Sequence, residues 1–107
     1  MSEVRRVLKT QDNKYDALLS IVLGEKRFYM VVTGLTRAPK TIKVSETGTT
    51  VRLELLDQFD HGFLTCILER GYFEEEFASV KCTPGNVWII SEDTILRHRQ
   101  YPEHPSN

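Results

Sequence analysis

Polar and apolar positions alternate most cleanly along Thr50–Leu55, where Val51, Leu53 and Leu55 fall on one side of an extended chain and Arg52 and Glu54 on the other. A strand with this pattern has one workable register, with the three aliphatic side chains in a core and the two charges in water. Phe28–Thr33 is a run of aromatic and β-branched residues, introduced by the short turn Gly24-Glu25-Lys26 and closed by Gly34. The segment before that turn, Tyr15–Leu23, reads either as a strand with Tyr15, Ala17, Leu19, Ile21 and Leu23 on one face, or as a helix capped by Asp12 and stopped by Gly24. Pairing with Phe28–Thr33 as a hairpin favours the strand.

Other segments follow the same spacing of about ten residues. Glu3–Thr10 reads as an edge strand or arm with Val4 and Leu8 facing one way. Thr41–Val44 is a short strand joined to Thr50–Leu55 through Glu46-Thr47-Gly48-Thr49, and Phe63–Leu68 is an apolar run entered from the polar turn Asp57–Gly62. The run Val87–Ile90 follows the punctuated turn at residues 82–86 and predicts a buried strand, with Trp88 in the core beside Ile90. Two segments stay open between strand and short helix. Residues 72–80 place Phe73, Phe77 and Val80 at helical spacing, and residues 91–100 open with Ser91, Glu92 and Asp93 and end in Arg97, His98 and Arg99, as a capped helix would. The fold expected from these segments is mainly β: a small antiparallel meander barrel or sandwich with at most one or two short helices, at 72–80 and 91–100. Strands do not alternate with helices, which disfavours a parallel nucleotide-binding sheet.

The chain has 107 residues, 40% of them apolar and 27% charged, which suits one packed domain over residues 1–101 followed by a loose tail at 102–107 containing two prolines. No apolar run approaches the roughly 20 residues that a membrane helix needs. The basic N-terminal residues lack a following signal-type apolar region, so no membrane partner is expected and the cytoplasm is the default location. Cys66 and Cys82 lie in apolar surroundings and read as two buried, reduced thiols.

Charge divides along the chain. Residues 1–43 carry nine Lys and Arg against four acids, and residues 44–107 carry five against eleven. If the halves also separate in space, Lys26, Arg27, Tyr29, Arg37, Lys40 and Lys43 form a basic partner-binding face and Glu74, Glu75 and Glu76 an acidic one. The function expected on that basis is a non-enzymatic protein-interaction or adaptor module, self-associating or holding a charged protein partner. A single-stranded nucleic-acid-binding barrel is the alternative, because Phe28 and Tyr29 stand among basic residues; the overall pI of about 6.3 weighs against it. The third reading is a small enzyme using Asp57, Asp60, His61 or the glutamates. No catalytic serine or cysteine motif, phosphate-cradling glycine loop or metal-ligand spacing is present, so no catalytic, metal or cofactor residue is assigned.

Overall fold

The computed structural model describes residues 1–74, 77–81 and 86–100, and among these the side chains of all but 74, 77–81 and 98–100. Eight strands occur in the order β1 (Glu3–Lys9), β2 (Tyr15–Leu23), β3 (Lys26–Leu35), β4 (Thr41–Thr47), β5 (Thr50–Leu56), β6 (Gly62–Glu69), β7 (Phe77–Lys81) and β8 (Asn86–Ser91), with one helix, α1 (Glu92–Gln100), at the end. They build two antiparallel sheets, one ordered β1-β2-β3-β8-β7 and the other β4-β5-β6. The protein is therefore mainly β and is not a closed barrel. Each sheet begins as a meander; after β6 the chain returns to the first sheet, where β8 pairs with β3.

One hydrophobic core lies between the sheets. Leu19, Ile21, Met30 and Val32 enter it from the first sheet and Val51, Leu53, Leu55 and Leu64 from the second. In β5 the register is the one the alternation requires: Val51, Leu53 and Leu55 are 0, 2 and 1% exposed, and Arg52 lies in solvent 3.8 Å from the half-buried Glu54. Tyr15–Leu23 is the strand rather than the helix, with Ala17, Leu19 and Ile21 buried and cross-strand partners on both sides. It turns into β3 through Gly24, whose φ of +62° suits a residue without a side chain.

One open segment resolves and three expectations change. Within 72–80, a 3₁₀ turn covers Arg70–Glu74 and β7 takes Phe77–Lys81. Phe73 anchors that turn in the core with its ring edge-on to Phe28, 5.2 Å between centroids, and pairing with β8 holds Phe77–Lys81 extended despite its helical spacing. In β8, Val87 and Ile89 are the buried residues, while Trp88 and Ile90 are half-buried on the opposite face. A continuous apolar run does not choose a face; the register with β3 does, setting Ile89 opposite the buried Met30 and Trp88 opposite the exposed Val31. In β1, a bulge between Val4 and Arg6 shifts the alternation, so Val4 packs against the core together with Val7, and Leu8 is exposed. Finally, Cys66 is buried but disulfide-bonded, not reduced. The expectation of a thiol came from the presumed compartment, which sets no distance between sulfurs. Cys82 and the 102–107 tail lie outside the described residues.

Residues 91–100 resolve as helix. The Asp93 N–H donates to Ser91 Oγ at 3.2 Å, a side-chain cap, and Glu92 and Asp93 occupy the first turn where the helix dipole favours acids. The helix packs on β3 and β8, and Tyr29 donates its hydroxyl hydrogen bond to Glu92 at 3.0 Å. No helix among the described residues is long and apolar enough to cross a membrane.

Candidate functional site

A concavity forms where the chain passes from one sheet to the other. β3 ends at Leu35, fully buried, and residues 36–40 cross to β4, tied to the end of β5 by the Lys40 N–H donating to the Leu56 carbonyl at 2.8 Å. Facing this crossing is the β5–β6 turn, Asp57–His61. Between them opens a cleft of about 890 Å³, lined by Thr36–Lys40 on one side and Asp57, Gln58, Phe59 and His61 on the other, with Tyr15 completing it. Its size falls in the range of small-ligand and peptide sites.

Asp57 organises both walls. Only 7% exposed, its Oδ1 accepts the N–H groups of Phe59 at 2.9 Å and His61 at 3.0 Å, and its Oδ2 accepts from Arg37 Nη1 at 2.9 Å. Its own backbone adds two more bonds across the turn, from Asp57 N to the His61 carbonyl and from Asp60 N to the Asp57 carbonyl. The turn closes with Asp60 at φ +63°, a left-handed conformation that aspartate tolerates better than most residues. Burial pushes the Asp57 carboxyl up. The His61 and Phe59 N–H groups, the Arg37 guanidinium and the nearby His61 outweigh that and hold it below the ordinary aspartate value.

Asp57 is thus an ionised tie whose two oxygens hold the turn and Arg37 together. Asp60, at the tip of the turn, does not line the cleft. What faces the opening is cationic and aromatic. The Arg37 side chain is 53% exposed, so its remaining N–H donors reach water; Lys40 is exposed and forms no ion pair among the described residues; Phe59 is 68% exposed with its ring 6.3 Å from that of His61. Among the described residues no three His, Cys, Asp or Glu side chains gather in a group that could hold a metal ion.

The residues of the basic face are partly brought together. Arg37 and Lys40 share the cleft. Lys26 and Arg27 stand at the other end of β3, roughly 30 Å away for a ten-residue strand. Lys43 is opposite Glu54 on the outer side of the second sheet, and Tyr29 is hydrogen-bonded to the helix. Phe28 is in the core. Of the acidic run, Glu74 ends the 3₁₀ turn and its side chain, with Glu75 and Glu76, lies outside the described residues. Sequence reasoning missed Phe59. Its signal was an aromatic residue in the polar turn Asp57–Gly62, where neither sheet can bury it.

No family model matches the chain, and no similar curated protein or solved structure was found by sequence or structural comparison.

Proposed function

We propose that the protein is a non-enzymatic protein-interaction module and that the cleft between the β3–β4 crossing and the β5–β6 turn is its working surface. The supporting observation is the state of Asp57. Its oxygens accept from two turn N–H groups and from Arg37, so the one carboxylate in the cleft lining serves to hold the turn and a cation in place, with Lys40 as a second cation beside them. That arrangement holds a negatively charged partner and has little with which to transform one.

The test is co-purification from native extract followed by titration of the purified partner at 0.05 to 0.5 M salt. Binding should weaken as salt rises, because the attraction acts over a Debye length of about 8 Å at physiological salt. Lys40→Glu should weaken it at every salt concentration. Salt-independent binding that ignores Lys40→Glu would move the working surface elsewhere.

A single-stranded nucleic-acid binder remains the second reading, favoured by one observation: Phe59 and His61 place two exposed rings beside Lys40, where a base could stack. Strong binding of a labelled oligonucleotide that falls steeply with salt would put this reading first.

A further inference from the structure

We infer that the segment this cleft takes is a short acidic peptide with an aromatic side chain next to its carboxylates, the carboxylates on Lys40 and Arg37 and the ring on Phe59. The inference rests on the cleft being the interaction surface and names what fills it.

Three features of the site lead there. First, its charge is local. Arg37 is paired with Asp57, Lys40 is unpaired among the described residues, and the next cations along β3, Lys26 and Arg27, are a strand length away. One or two carboxylates saturate such a site, whereas a polyphosphate strand gains affinity by engaging many cations in a row. The chain's net charge of −1 offers no broader attraction for a polyanion. Second, the donors have a fixed direction. Arg37 Nη1 is held on Asp57 Oδ2, which orients the guanidinium plane and leaves its other N–H groups directed by that contact; a carboxylate suits such a fork. Third, Phe59 is the most exposed aromatic ring among the described residues, and it is held up by its turn: its N–H is bonded to Asp57 and the rest of the turn is closed by backbone bonds. A solvent-facing ring on an ordered turn, in a cleft with two cations, is complementary to a second ring carried next to a carboxylate, through offset or edge-to-face contact.

Three blocked pentapeptides test this by amide chemical-shift mapping on the full chain: one with a tryptophan between two glutamates, one with the tryptophan replaced by glycine, and one with both glutamates replaced by glutamine. The first should shift amides of Thr36–Lys40 and Asp57–His61 and bind about 3- to 10-fold more tightly than either control. Phe59→Ala should reduce its affinity to that of the glycine control, and Lys40→Gln to that of the glutamine control. Equal affinity of the first two peptides, with Lys40→Gln still weakening both, would overturn the aromatic requirement while leaving the cleft as an acidic-peptide site. Absence of shifts in the cleft with any of the three at millimolar concentration would overturn the inference. If the co-purified partner still responds to Lys40→Glu, only the named ligand class fails; if it does not, the proposed function fails with it. Cleft shifts produced by a single-stranded oligonucleotide and by none of the peptides would overturn both.

Discussion

The two ends of β3 carry the same kind of residue and end up with different surroundings. At one end Lys26 and Arg27 emerge from the tight turn at Gly24 and Glu25, with the chain doubling back inside the same sheet. At the other, Leu35 is sealed in the core and the chain leaves for the second sheet, so that Arg37 and Lys40 stand opposite another hairpin turn. A hairpin returns along its own edge and encloses nothing. The crossing from β3 to β4 spans the edge of the core, and a cleft opens where it meets the β5–β6 turn. Cation content does not distinguish the ends; connectivity does.

The largest effect that should separate them is on stability. Leu35→Ala, at the crossing, should cost roughly 2–5 kcal/mol because a fully buried leucine leaves a cavity where both sheets meet. Leu23→Ala, at the half-buried hairpin end, should cost roughly half as much or less. Urea denaturation of the two variants makes the comparison, and equal losses would mean the crossing is no better packed than the hairpin.

Next comes the tie between the cleft walls. Asp57→Ala removes the acceptor of two N–H groups and the partner of Arg37, and should lower the melting temperature clearly; Asp57→Asn keeps an acceptor for the N–H groups and should recover part of the loss. The pH dependence has a definite sign. A carboxyl held below its ordinary value in the folded state contributes its full stability above the unfolded value, about 3.9, and loses it as pH falls through the folded value. The gap in melting temperature between wild type and Asp57→Asn should therefore be level above about pH 5 and close in more acidic buffer. A gap that stays level in acid would show that the charge of Asp57 does not contribute.

A smaller effect is expected in binding. Lys40→Glu should weaken the partner on the order of tenfold at low salt, and Lys26→Glu hardly at all, with neither changing the melting temperature since both side chains are exposed. Isothermal titration with the co-purified partner reads this directly. Equal losses from both substitutions would restore a single extended basic face along β3. Arg37 is the wrong residue for the same experiment, because Arg37→Glu would set a second carboxylate against Asp57 and disturb the frame as well as the charge.

Much of the architecture follows from local pattern. The strands at β2, β3, β5 and β6, the cap at Ser91, and the alternation of Val51, Leu53 and Leu55 against Arg52 and Glu54 are set by period-two spacing and turn chemistry, which act over a few residues. The polar turn at Asp57–Gly62 was also legible, and there Asp57 accepts the N–H groups of Phe59 and His61. The candidate residues Arg37, Lys40, Asp57 and His61 were all visible as charges, but in two groups with different expected roles, one on a basic face and the other in a turn. Their union was not visible, because residues 36–40 and 57–61 meet only through the pairing of β4 with β5 and the closing of the core between the sheets.

The sequence by itself determined that the chain is mainly β, where most strands begin and end, and which side chains of β5 go inside, because each of these depends on neighbours within one strand or turn. Tertiary structure alone decided that Trp88 lies away from the core, that Phe73 anchors a turn instead of a helix, and that Arg37 is fixed by Asp57 twenty residues further on. Each of those outcomes depends on cross-strand register or on contact between segments distant in sequence, and such contacts form only when the sheets come together.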